Sequence, residues 1–218
     1  MAAKLLQNLL SVKQVAATFQ QALEVKKPLC HVNLGDGEIM FLAHPQIPGF
    51  ETLSSPSGIE PYLKYITDPN IRDNVLQGVL HADIVGMPAY LYTGSWPAAE
   101  YFLDYYSIPV QRICDSYMGR LLHSDGILYD ILKGKSVFLV GNHIGALIPI
   151  LERHQIKVSG QTQVDYFEDI PRVKDCLGNA EFDMALLSAG IPTLILAPWI
   201  AENLGRCASD FGCAIHYL

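Results

Sequence analysis

Two carboxylates one residue apart, Asp36 and Glu38, lie in the stretch His31-Val32-Asn33-Leu34-Gly35-Asp36-Gly37-Glu38. Gly35 and Gly37 flank Asp36, which frees the backbone and removes side-chain bulk, so that both carboxylates can turn toward one divalent cation. Hard cations such as Mg²⁺ and Mn²⁺ take oxygen ligands, commonly one or two carboxylates together with substrate phosphates. The same residues have a structural use: acidic side chains favour the first turn of a helix, and an apolar run, Ile39-Met40-Phe41-Leu42, begins at once. A second stretch with chemical potential is Gly141-Asn142-His143, which follows the apolar run Ser136 to Val140 and precedes an apolar helical pattern. Strand, glycine-bearing loop and helix together can place amides against a phosphate or ribose, although the spacing is not the full dinucleotide fingerprint. A third is the aromatic run Ala89 to Trp96, where Trp96 can stack on a base or sugar ring or simply anchor a loop.

Composition narrows the chemistry. The chain has 218 residues, half of them hydrophobic and 17% charged, with a formal net charge of −7. That is a globular chain with a large core and no basic footprint for nucleic acid. A phosphate ligand remains compatible with this charge if a cation bridges it. The five cysteines are scattered, with no CxxC pair, and sit in apolar surroundings, which predicts reduced thiols in a cytoplasmic protein and gives no zinc motif. Glutamines and lysines interrupt the apolar pattern of the first residues, so no secretory leader is expected. The longest apolar stretch, Met184 to Ala201, contains Ser188, Gly190, Pro192 and Pro198, which suits consecutive buried elements better than a membrane span.

The elements that must hold these residues follow from periodicity. Leu5, Leu9, Val12, Ala16, Phe19 and Leu23 recur at helical spacing, predicting an amphipathic helix over residues 1–27 that packs on its own domain or, alternatively, pairs two copies as a homodimer. Leu29 to Leu34 reads as the first strand, and a short helix runs from Glu38 to Ala43. Residues 45–60, rich in proline, glycine and serine, read as a loop able to cover the carboxylate turn. Helix is expected from Pro61 to Leu80 with a new start at Asp68-Pro69-Asn70, strand at Ala82 to Met87, helix at Pro97 to Tyr106, a short strand at Val110 to Cys114, and helix from Tyr117 to Leu132. Strands follow at Ser136 to Val140, Ile156 to Ser159 and Phe182 to Leu187, with helices at Ala146 to Arg153 and Asp165 to Leu177. Pro192 to Leu204 fits a helix kinked at Pro198, with Thr193-Leu194-Ile195-Leu196 as a competing strand. The alternation predicts an α/β domain over residues 28–218: a Rossmann-like, mostly parallel sheet with helices on both faces.

Gly35-Asp36-Gly37-Glu38, Trp96, Gly134-Lys135-Ser136-Val137-Phe138-Leu139-Val140-Gly141 and the closing Asp183…Ala189-Gly190-Ile191-Pro192-Thr193…Gly205…Asp210-Phe211-Gly212 together resemble the GT-D-type glycosyltransferases, a bacterial family formerly described as a domain of unknown function. The resemblance spans roughly residues 28–218. It implies a GT-D-like fold, an Asp-x-Glu metal motif matched by Asp36 and Glu38, and metal-dependent transfer of a sugar from a UDP-sugar to a glycan or other hydroxyl acceptor. Mn²⁺ or Mg²⁺ would be the ion, and the nucleotide sugar and the acceptor glycan the partners. If the reaction inverts, a carboxylate or a histidine must take the acceptor proton, and Asp115 first and Asp210 second, both expected near strand ends, are the candidates. Two alternatives stand beside this expectation. The Leu34-Gly35-Asp36-Gly37 loop loosely fits an S-adenosylmethionine-dependent methyltransferase. Asn33, where the family often has arginine, fits a sugar-nucleotide-binding protein without turnover.

Overall fold

Leu29–Asn33 (β1) is buried along its whole length, with Leu29, Cys30 and Val32 supplying apolar side chains to both faces. A strand buried on both sides belongs in the middle of a parallel sheet covered by helices, and that is where it lies. The computed structural model describes residues 9–43, 60–88 and 96–218. The other strands are Ile84–Met87 (β2), Ile113–Asp115 (β3), Ser136–Gly141 (β4), Lys157–Thr162 (β5), Met184–Ser188 (β6) and Cys207–Asp210 (β7). They form one seven-stranded sheet in the order β3-β2-β1-β7-β6-β4-β5, every neighbouring pair parallel. The expected Rossmann-like α/β architecture is therefore present, as a wholly parallel sheet.

The helices are Val12–Val25 (α1), Asp36–Ala43 (α2), Pro69–His81 (α3), Trp96–Tyr105 (α4), Met118–Ser124 (α5), Ile127–Leu132 (α6), Ile148–Arg153 (α7), Ile170–Gly178 (α8) and Thr193–Leu204 (α9). They cover both faces and create two cores. One contains Val32, Phe41, Val75, Val79, Phe102, Val140, Val173, Leu187, Leu194 and Ile200; the other contains Val15, Phe19, Leu29, Ile84, Leu132, Leu139, Leu147 and Leu186. α1 belongs to the second core. Its Val15, Ala16, Phe19, Ala22 and Leu23 are buried on the sheet of its own domain, so the stripe expected to serve either packing or pairing is engaged within the chain.

Several boundaries differ from the periodicity. α1 begins only at Val12, because Ser11 caps it in a reciprocal capping box with Gln14. The preceding Leu10 makes a bridge to Cys114, and the first eight residues of the expected helix lie outside the described ones. Tyr117 to Leu132 splits into α5 and α6 at Gly126, whose φ is +74°. Two 3₁₀ turns, Ile144–Leu147 and Phe167–Asp169, replace the first turns of the helices expected after β4 and β5. The short strand expected from Val110 shifts to Ile113–Asp115, behind a 3₁₀ turn at Val110–Arg112. β5 runs past the expected end at Ser159, through Gly160 to Thr162, with a register shift in its pairing with β4 at that point. Thr193–Leu204 is helix despite its β-branched start, and Pro198 lies inside it. The expected covering loop, but for residue 60, and the aromatic run up to residue 95 fall outside the described residues.

Candidate active-site cleft

In an open parallel sheet the ligand crevice lies beyond the carboxyl ends of the strands, where the strand order changes direction. Here β1 leads outward through β2 and β3, and the chain then crosses over to β4, so that crevice sits above β1, β7, β6 and β4. A cleft of about 720 Å³ occupies this place. Its lining includes Asn33 at the end of β1 and Gly35, Asp36, Gly37 and Glu38 after it, Asn142 and His143 after β4, Asp165 and Tyr166 after β5, Ser188 at the end of β6 and Gly190 after it, and Asp210 at the end of β7 and Gly212 after it.

Asp36 and Glu38 open α2. Asp36 is exposed. Glu38 is half-buried, and its Oε2 accepts a hydrogen bond from the Gly35 N–H at 2.9 Å. That bond is the backward half of a helix cap. It depends on the glycine, since a Cβ at position 35 would stand 2.8 Å from the same oxygen. Burial pushes the Glu38 carboxyl above its ordinary range, and the Asp36 charge adds to the shift. The two carboxylates share one wall of the cleft, with Glu38 in the capping orientation. Among the described residues no group of three or more His, Cys, Asp or Glu is placed to hold a metal.

Asp210 lies deeper, 6% exposed, at the end of β7. Its Oδ1 accepts from the Gly212 N–H at 2.8 Å and its Oδ2 from the Asn33 N–H at 3.2 Å, which fixes the carboxyl across the β1–β7 pair. Burial, then the negative charge of Glu38, pushes it up to about 7. Asp115 has a different position. Its Oδ1 accepts from the Tyr117 N–H at 2.8 Å, a local turn at the end of β3, and it does not line the cleft, although Ser116 and Tyr117 do. The structure thus brings Asp210 together with Asp36 and Glu38 and leaves Asp115 aside.

The residues expected to hold a nucleotide also separate. Gly141 is required by packing: its φ is +136°, and a Cβ there would meet the Ser188 carbonyl oxygen at 2.1 Å. It does not line the cleft. Asn142 does, but its amide joins two loops, Oδ1 accepting from the Val164 N–H at 3.1 Å and Nδ2 donating to Asp165. His143 lines the cleft with its ring 6.3 Å from that of His216. Gly37 lines the cleft and would meet nothing within 4 Å on gaining a Cβ. Trp96 starts α4, and its side chain is not among the described ones.

Several lining residues carried no sequence signal. Tyr62 donates to the Ala189 carbonyl at 3.2 Å and feels the charges of Glu38 and Asp165; burial first, then these charges, pushes its hydroxyl up to about 12. Ser188 donates to the Gly212 carbonyl. Tyr166 and Asp165 flank the β5 side. In the sequence they only opened the helix expected from Asp165 to Leu177.

The charge of this cleft is one-sided. Four carboxylates line it, Asp36, Glu38, Asp165 and Asp210, and no described lining residue is Lys or Arg. Residues 44–59 and 89–95 also contain neither.

A model of the GT-D fold-like domain family matches residues 10–218, which takes in α1 as well as the region from residue 28 onward. No curated protein matches the chain. Two solved structures do. One, a selenomethionine-substituted domain of unknown function 1792, is 16% identical, with 98% of this chain and 83% of that one covered and a TM-score of 0.57. The other, described as the highly conserved domain of unknown function 1792 with a distinct glycosyltransferase fold, is 15% identical, with 97% and 80% covered and a TM-score of 0.60.

Proposed function

From the premise that this chain belongs to the GT-D fold-like domain family, we propose that it is a metal-dependent glycosyltransferase using a nucleotide sugar, of the UDP-sugar type, as donor. The observation that carries the metal and the diphosphate together is the cleft's charge. A diphosphate entering beside Asp36, Glu38 and Asp165, with no described Lys or Arg lining the cleft, meets net repulsion. A cation held by Asp36 and Glu38 supplies the missing positive charge and offsets that developing on the leaving group. The donor set suits Mg²⁺ or Mn²⁺, which are commonly held by one or two protein carboxylates, the remaining ligands being phosphate and water.

The other groups have roles that follow from their placement. Asp210 lies on the cleft floor, where burial raises its carboxyl above the ordinary range, which fits acceptance of the proton from an attacking hydroxyl. Its two backbone hydrogen bonds hold it in one orientation, as a base that must meet one oxygen requires. Asp115, committed to its own turn, is not assigned a part. Nothing in the cleft favours methyl transfer, and β2 ends at Met87 with no acidic residue there to hold a ribose.

Calorimetric titration of UDP tests the reading. Binding is expected with Mn²⁺ present, to be lost on chelation, and to weaken at least about ten-fold in Asp36→Ala. Equal binding without metal that survives Asp36→Ala would show the reading to be wrong. Transfer or donor hydrolysis above a no-enzyme blank separates an enzyme from a binding protein.

A further inference from the structure

Away from the cleft, the side of the sheet covered by α9 carries a second concavity that the glycosyltransferase reading leaves without a part. α3 and α8 both pack against α9 and form the two walls of a groove of about 580 Å³. Its floor is the outer face of α9, where Ile195 and Trp199, four residues apart, are half-buried beside Pro198. Apolar surface of this kind, left open on a helix that is otherwise buried, marks a binding site more often than a bare surface. None of the described residues lining the groove lines the cleft. Tyr62 of the cleft meets Phe167 of the groove edge-on at 5.8 Å, so the two concavities are neighbours across one wall.

Paired side chains bound the groove at both ends. At one, the Tyr65 hydroxyl donates to Glu168, which also lies 3.8 Å from Lys64 Nζ; at the other, His81 Nδ1 and Glu202 Oε1 are 2.9 Å apart. A bounded groove of this volume suits a small molecule rather than a peptide running through it. Glu168 and Glu202 are thereby partnered, and Lys174 is not. Lys174, half-buried on the α8 wall, holds its ammonium 5.1 Å from the Trp199 ring centre. Among the described residues it forms no ion pair with a carboxylate. Burial lowers its amine from the ordinary range, and no neighbouring negative charge raises it. A cation held over an indole, beside an apolar floor and without a counter-ion, is the polar half of an amphipathic site.

We propose that this groove binds a small amphipathic carboxylate, its acyl or aryl body on Ile195, Pro198 and Trp199 and its charge on the Lys174 ammonium. One cation matches one negative charge, and the net charge of −7 disfavours a polyanion. Asn74 and Gln77 carry amide donors on the α3 wall for the second carboxylate oxygen. The inference is independent of the nucleotide-sugar reading.

Octanoate is the probe, titrated into the full chain at neutral pH and followed by calorimetry and by tryptophan fluorescence. It is expected to bind and to change the emission. 1-Octanol and octylammonium keep the chain but lose or reverse the charge, and are expected to bind at least about ten-fold more weakly. Lys174→Met keeps an apolar stem and is expected to bring octanoate down to the affinity of octanol, while octanol binds as it does to the parent. Trp199→Phe is expected to abolish the emission change with calorimetric binding retained, which distinguishes the groove from Trp96, the other tryptophan. Melting temperatures show that each variant is folded. Octanoate binding that Lys174→Met leaves unchanged, an emission change that persists in Trp199→Phe, or no binding of octanoate at all overturns the inference. So does a dimer in sedimentation that Ile195→Asp dissociates, since a second copy then covers the groove.

Discussion

Burial moves two titrating side chains of the central strands in opposite directions. The Asp210 carboxyl rises to about 7, through desolvation and then the Glu38 charge, whereas desolvation lowers the His31 imidazole to about 4. His31 is fully buried, sharing a hydrogen bond with Ser209 Oγ at 2.9 Å and meeting Cys114 Sγ at 3.6 Å. Between about 4 and 7 folded Asp210 keeps a proton that the unfolded chain has released, so its contribution to stability declines as pH rises through that window. Between about 6.5 and 4 folded His31 stays neutral while the unfolded chain takes up a proton, so its contribution declines as pH falls. At 1.36 kcal/mol per unit, the two effects are about 4 and about 3 kcal/mol and nearly cancel. Asp210→Asn removes the first alone. Thermal melts of this variant between about pH 4.5 and 8 are expected to show stability falling steadily on acidification, where the parent stays comparatively flat. At this scale the carboxylate turn was readable because Asp36 and Glu38 are neighbours in the chain. The difference between Asp210 and Asp115 was not, because a strand-end aspartate faces a cleft or its own turn according to the backbone around it.

Among the elements, those with local signals matched their expectation. Asp68 caps α3, Gly205 closes α9 with φ +65°, and the apolar run 136–140 became β4. Where helix and strand patterns competed, packing decided. α9 has apolar residues around most of its circumference, because it fills the space between the sheet and α3, and burial on several sides overrides the β-branched preference of Thr193 and Ile195. The α3–α9 approach is close: a Cβ on Gly78 would fall 1.8 Å from the Leu194 carbonyl oxygen, so the two helices must separate to admit one. Gly78→Ala is expected to destabilise the protein by at least about 2 kcal/mol, read from the midpoint of urea unfolding. Mn²⁺-dependent UDP binding by the folded fraction should remain, since Gly78 does not line the cleft.

For the molecule as a whole, the net charge of −7 and the acidic cleft set how it meets its ligands. Cations are drawn to the cleft and bare phosphates repelled, both over a distance that salt shortens. The affinity for Mn²⁺ alone is expected to fall several-fold between about 20 and 200 mM salt in calorimetric titrations, a dependence that Asp36→Ala should reduce. Among the described residues no helix is long and apolar enough to cross a membrane. The alternation of strands with helices, and with it the parallel α/β class, was determined by the sequence alone, because hydrophobic period and caps act over a few residues. So was the pairing of Asp36 with Glu38. The strand order was decided only by tertiary structure: β7 lies beside β1 although some 180 residues separate Leu29 from Cys207. Helical crossovers allow several orders, and only the fit of the two cores chooses among them. That choice brought Asp210 under Asn33, set Tyr166 and Asp165 at the far end of the same cleft, and left Asp115 outside it.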